Sequence, residues 1–155
     1  MGLNKAWDLE HGCKYMLHTE LNLSLKMETL IIKDTIFEFV NARQILNMGG
    51  PWVGDMNVDG KKSIGSVIID NVVYYGMHDS IYFIKYYGDI NCCFAVCLYD
   101  LSRKEIYKFD KAFDMIFIKE ISDNKLVYFD AFHEENDKYR RELSLNDLER
   151  VLIKQ

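Results

Sequence analysis

The stretch VVYYGMHDSIYFIKYYGDINCCFAVCLYDLSRKEIYKFDKAFDMIFIKEISDNKLVYFDAF, residues 72–132, decides how this chain is read. Apolar runs follow one another at near-regular spacing: Val72 to Tyr75, Ile81 to Tyr87, Cys92 to Tyr99, Glu105 to Phe109, Phe113 to Ile121 and Lys125 to Phe132. The breaks between them are Gly76-Met77-His78-Asp79, Gly88-Asp89-Ile90-Asn91, Asp100-Leu101-Ser102-Arg103, Asp110-Lys111 and Ser122-Asp123-Asn124, all turn chemistry. Short β-branched and aromatic runs punctuated in this way predict an antiparallel meander. Ile81 to Tyr87 and Cys92 to Tyr99 are apolar at alternate and at intervening positions, so they belong at the centre of a sheet covered on both faces.

Outward from the meander, Glu20 to Met27 alternates strictly and predicts a half-buried strand, with Leu21, Leu23, Leu25 and Met27 on one face. Residues 3–18 carry only a weak helical signal broken by Gly12, and no state is assigned to them. Between Thr35 and Met48, Ile36, Phe37, Val40, Ile45 and Leu46 fall along one side of a helix, with Asp34 as N-cap and Gly49-Gly50-Pro51 as stop. A helix near residues 35–48 is therefore expected, although Ile36 to Val40 would also suit a strand. Lys138 to Leu145 reads as a last edge strand or a connector. A short C-terminal helix near residues 145–153 is expected to follow, capped by Ser144 with Asp147 three residues on, a Leu143–Leu148 staple, and Leu145, Leu148, Val151 and Leu152 as its buried stripe. The fold class expected is α+β: a meander of six to eight strands, with the two helices covering its faces.

The glycine-rich segment from Gly49 to Gly65 admits three readings. Asp55, Asn57, Asp59 and Gly60 match the early positions of a calcium-binding EF-hand loop, but Ser66 stands where the bidentate Glu is needed. A phosphate-binding P-loop fails on spacing, and on two aspartates that would repel phosphate. A hairpin turning at Asp59-Gly60, joining Met56-Asn57-Val58 to Ser63 through Asp70, is favoured over both.

A length of 155 residues fits one domain with a sizeable core. The longest apolar run, Cys92 to Tyr99, is far short of the ~20 residues needed to cross a bilayer as a helix, and the N-terminus has neither a secretory h-region nor a myristoylation signal. The chain reads as cytosolic, with no membrane partner. Cys13, Cys92, Cys93 and Cys97 are spaced neither as a disulfide framework nor as a zinc site, which leaves reduced, buried thiols. No metal or cofactor is expected.

Motifs for a serine hydrolase, a zinc protease or a dinucleotide fold are missing from the sequence. His78, beside Asp79 and Ser80, could join His133 as a metal-independent acid/base pair in a small hydrolase or ribonuclease. Charge offers a different lead. Between Glu120 and Asp137 stand six acids (Glu120, Asp123, Asp130, Glu134, Glu135 and Asp137) against one base, Lys125, so this window holds a charge of −5, equal to that of the whole chain. An anionic lobe argues against nucleic acid as ligand and suits a basic protein surface. A cytosolic, single-domain, mildly acidic chain with no catalytic motif resembles, in overall character, the immunity proteins of bacterial contact-dependent growth-inhibition and other polymorphic toxin systems. That resemblance implies no enzymatic activity and a tight one-to-one complex with a cognate toxin, often a nuclease. The six acids are the candidate partner-binding residues.

Overall fold

The computed structural model describes residues 14–15, 28–45, 51–69, 71–88, 94–131 and 137–153. They form two antiparallel sheets. The larger contains β1 (Lys14–Tyr15), β2 (Glu28–Ile32), β3 (Thr35–Gln44), β4 (Trp52–Val58), β5 (Lys61–Ile68), β6 (Val72–Tyr75), β7 (Ser80–Tyr86), β8 (Phe94–Asp100) and β9 (Glu105–Phe113), and it is completed by β13 (Arg150–Ile153). The smaller contains β10 (Phe117–Ser122), β11 (Lys125–Phe129) and β12 (Arg140–Ser144), in that order. In the large sheet the order is β13-β9-β8-β7-β5-β4-β3-β2, with β6 sharing one side of β7 with β5 and β1 pairing with β6.

The α+β expectation is overturned: among the described residues the only helical pieces are three-residue 3-10 turns. The segment expected as a helix near 35–48 is β3, where Thr35, Phe37 and Phe39 are buried and Ile36 points outward, 40 % exposed. Inward positions two apart are the period of a strand, and β-branched Ile36 and Val40 suit one. Asp34 sits in the β2–β3 turn beside Lys33, which takes a left-handed φ of 54°. The helix expected near 145–153 is also a strand in its second half. Ser144 does cap a turn, its Oγ accepting from the Asn146 amide at 3.2 Å, but the turn stops after Leu145–Asp147. Thereafter Arg150–Ile153 pairs with Ile106 to Phe109, and Val151 and Leu152 are 60 % and 42 % exposed instead of buried. Backbone pairing with the open side of β9 outweighs a cap that contributes roughly 1 kcal/mol. One predicted break also moves: Asp110-Lys111 lies inside β9, and the chain turns at Asp114-Met115 instead. The strand expected over Glu20 to Met27 lies outside the described residues.

Without covering helices, the large sheet covers itself on one face. Phe37 of β3 meets Tyr99 of β8 edge-on with ring centroids 5.3 Å apart, although β4, β5 and β7 lie between them in the sheet. This contact requires the sheet to coil. Register shifts in the β3–β4, β4–β5 and β8–β9 ladders supply the bend. Gly54 stands at the tightest point, where an added Cβ would lie 3.0 Å from the Val40 carbonyl oxygen. A clasp fastens the coil: the Asp79 carboxylate accepts from Lys33 Nζ at 2.7 Å, from Ser102 Oγ at 3.1 Å and from the Tyr74 hydroxyl at 3.4 Å. Inside lies the first core, with Phe37, Phe39, Met56, Ile81, Phe83 and Cys97 among its members. Burial pushes the Cys97 thiol up to about 12, so it is an inert, protonated core residue.

The small sheet covers the opposite face of the central strands. Strand alternation turns Tyr82, Ile84, Val96 and Leu98 toward it, where they pack with Ile118, Ile121, Leu126 and Tyr128 in a second core. The expectation that β7 and β8 are buried on both faces holds. Asn71, fully buried, joins the sheets: its Oδ1 accepts from the Ile118 amide at 2.7 Å and its Nδ2 donates to the Ile118 carbonyl at 3.0 Å. The carboxamide thereby does for the open edge of β10 what a neighbouring strand would do.

Candidate functional site

A cavity of about 420 Å³ opens at one end of the seam between the sheets. Its polar lining includes His78 from the β6–β7 turn, Ser80 from the start of β7, Asn124 from the β10–β11 turn, Asn146 from the 3-10 turn, and Arg150 from β13. Tyr82 and Asp100 contribute from β7 and β8.

The β6–β7 turn separates two neighbours. Gly76–His78 forms one 3-10 turn, and Asp79 follows with a left-handed φ of 48°. Asp79 then serves the clasp on the coiled face, while His78 packs edge-on against Tyr75 at 4.6 Å and meets the Tyr82 hydroxyl through Nδ1 at 2.8 Å on the seam face. Burial lowers the His78 pKa, and the charge of Arg150 lowers it further; burial raises that of Tyr82. The phenol oxygen and the imidazole Nδ1 therefore share one hydrogen bond between two neutral groups at neutral pH. Asp79, adjacent in sequence, does not orient this histidine.

The opposite wall is just as firmly held. Asp123 and Asn124 both have positive φ, 50° and 61°, as a two-residue hairpin turn requires. The Asn124 amide donates to the Tyr75 hydroxyl at 3.4 Å, its carbonyl accepts from the Leu145 amide at 2.9 Å, and its Nδ2 donates to Asn146 Oδ1 at 2.6 Å. Arg150 lies 4.6 Å over the Tyr107 ring and forms no ion pair among the described residues. Asp100 Oδ1 accepts from the Ser102 and Arg103 amides at 2.9 and 3.1 Å.

The acids picked out from the sequence are distributed differently from a single patch. Glu120 is exposed on β10, in register with Val127, and Asp123 is exposed in the turn beside Asn124. Asp130 pairs with Arg141 at 3.1 Å, because β12 runs back along β11 and brings Arg140 and Arg141 to it. Asp137 is exposed at the start of a 3-10 turn. Glu134, Glu135 and His133 lie outside the described residues. Of the calcium-loop residues, Asp55 is held by Asn41 Nδ2 at 3.2 Å and the Ser66 amide at 3.3 Å, while Asp59 caps the Ile36 amide at 3.0 Å. They stand along the β4–β5 hairpin that the sequence favoured, turning at Asp59-Gly60. Among the described residues, no group of three or more His, Cys, Asp or Glu gathers as a metal cage would. No helix of the described residues is long and apolar enough to cross a membrane.

His78 is the one cavity residue that sequence reading had nominated. In the sequence Asn124 reads only as turn chemistry, and Asn146 and Arg150 fall in the segment expected as a helix; no spacing in the sequence links them. No protein-family model, curated protein or solved structure matches the chain.

Proposed function

We propose that this chain is a binding protein that captures a basic protein partner in the cytoplasm, in the manner of the immunity proteins it resembles, and makes or breaks no bond itself. The observation that carries the reading is the state of its carboxylates. Glu120, Asp123 and Asp137 are exposed and have no counter-ion among the described residues. Glu120 and Asp123 are presented on a strand and tight turn held by backbone pairing and by Asn71. Fixed, unpaired anions steer a cationic partner and set the docking register at little ordering cost. Asp130, already neutralised by Arg141, contributes less to that field.

The test is co-expression with the toxin domain encoded beside its gene, followed by association kinetics of the purified pair. Rescue of growth is expected, and reversing Glu120, Asp123 and Asp137 to Lys should slow association and flatten its salt dependence. Unchanged kinetics at low salt would remove these side chains from the interface. A second reading, histidine acid/base catalysis, is favoured only by the His78–Tyr82 contact inside the cavity. RNA turnover lost in His78→Ala would establish that reading in place of the first.

A further inference from the structure

The cavity holds two opposite charges that form no ion pair with each other or with any other described residue. Arg150 is the only cation in its lining once His78 is neutral, and Asp100 the only anion. No ion pair joins them, so they stand more than 4.0 Å apart across a space of about 420 Å³. Both act electrostatically on the Tyr82 hydroxyl, Arg150 lowering and Asp100 raising its pKa. Arg103 is close enough to Asp100 to interact with it through space but does not form an ion pair with it. Asp100 Oδ1 is committed to two backbone amides, and Oδ2 has no partner among the described residues.

Between the charges lie neutral groups held in place. The Asn124–Asn146 contact uses one donor and one acceptor, leaving Asn124 Oδ1 and Asn146 Nδ2 uncommitted among the described residues. The imidazole of His78 meets Tyr82 through Nδ1 and keeps Nε2 for a ligand. Phe109, Leu145 and Leu148 supply an apolar wall, and Phe109 is itself stacked at 8° on Tyr82. The volume is at the lower end of the ~300–1,000 Å³ of small-molecule pockets, and the lining is mostly polar with its apolar residues on one side.

We propose that this cavity binds a free α-amino acid with an apolar side chain, its carboxylate on Arg150, its ammonium on Asp100 and its side chain against Leu145, Leu148 and Phe109. A zwitterion is the ligand class that satisfies both charges at once: a simple anion leaves Asp100 facing like charge, and a simple cation does the same to Arg150. The pocket is separate from the Glu120 carboxylate and needs no macromolecular partner to form.

The experiment is titration calorimetry of the full chain with L-phenylalanine, L-leucine and L-methionine, and with phenethylamine and 3-phenylpropionate, which each keep one of the two charges. Saturable binding of at least one amino acid is expected, weakened at least tenfold in either single-charge analogue, a loss of about 1.4 kcal/mol or more. Arg150→Gln and Asp100→Asn should each cause a similar loss, and Asp100→Asn retains the oxygen that caps the turn. Equal binding of the single-charge analogues, unaltered binding in Arg150→Gln with a native circular dichroism spectrum, or no saturation by any of the three amino acids at about 10 mM would overturn the proposal.

Discussion

Replacing Asn71 with Ala should do more damage than any other single polar substitution in this molecule. The side chain is fully buried, and its two hydrogen bonds, at 2.7 and 3.0 Å, satisfy the amide and carbonyl of Ile118, itself without exposed surface. Truncation strands one donor and one acceptor, at roughly 1–3 kcal/mol each, while the carboxamide's own desolvation cost is recovered. A net loss of about 2–4 kcal/mol follows, which for a chain of this length lowers Tm by roughly 4–16 °C. Urea unfolding followed by far-ultraviolet circular dichroism gives the loss directly, and hydrogen exchange at the Ile118 amide should accelerate in step with it. Asn71→Asp separates hydrogen bonding from volume. The carboxylate still accepts from the Ile118 amide but cannot donate to its carbonyl, so burial raises its pKa and the folded state takes up a proton that the unfolded state does not. The variant should therefore be least stable at high pH and regain stability as pH falls through that raised pKa. A loss under about 1 kcal/mol in Asn71→Ala, with Ile118 exchange unchanged, would refute the claim that this side chain joins the two sheets.

Three further outcomes check other parts of the structure. Tyr82→Phe removes the hydroxyl that meets His78 Nδ1 at 2.8 Å; stability should fall by about 1 kcal/mol in urea unfolding. In Asp79, burial favours the protonated form, but the Lys33 and Ser102 hydrogen bonds outweigh it and hold the pKa below 3.8. The clasp therefore stabilises the fold above that pH and is lost as pH falls through the lowered folded value, so Asp79→Asn should be less stable than the parent at pH 7, with the gap closing in acid unfolding curves below about pH 4. Gly54→Ala sets a Cβ 3.0 Å from the Val40 carbonyl oxygen and 3.2 Å from Ile69 Cγ2, which should cost about 1–3 kcal/mol by thermal melting.

The central strands were legible because their signal is local: Ile81 to Tyr87 is apolar on both faces, and no solvated element has that composition. Two turns are legible for the same reason, Asp59-Gly60 and Asp123-Asn124 each taking positive φ at both positions, whereas Asp110-Lys111 proves to lie inside a strand. What misled was a segment compatible with two periods. Ile36, Phe37 and Val40 fit one side of a helix as well as they fit a strand, and the choice is made by Phe37 meeting Tyr99 on the far side of the coil, a contact no window of sequence contains. At the C-terminus the Ser144 cap was read correctly, yet a cap can only begin a helix; β9 offered Val151 to Ile153 a backbone partner, and the chain took it.

The cavity was beyond sequence reading for a related reason. His78 and Asp79 are adjacent, and pairing them as base and orienter is natural on paper, but a 3-10 turn followed by one left-handed residue sends them to opposite faces of the sheet. The groups that do converge on His78 are distant along the chain and arrive by three independent devices: strand alternation for Tyr82, a two-residue turn for Asn124, and edge pairing with β9 for Arg150. Tyr82 and Arg150 both belong to the large sheet; only the packing of the small sheet on it brings Asn124 to them, and Asn71 holds that packing at the backbone of Ile118. Loosening that joint should therefore enlarge or erase the cavity while leaving the coiled core, with its Asp79 clasp on the other face, in place.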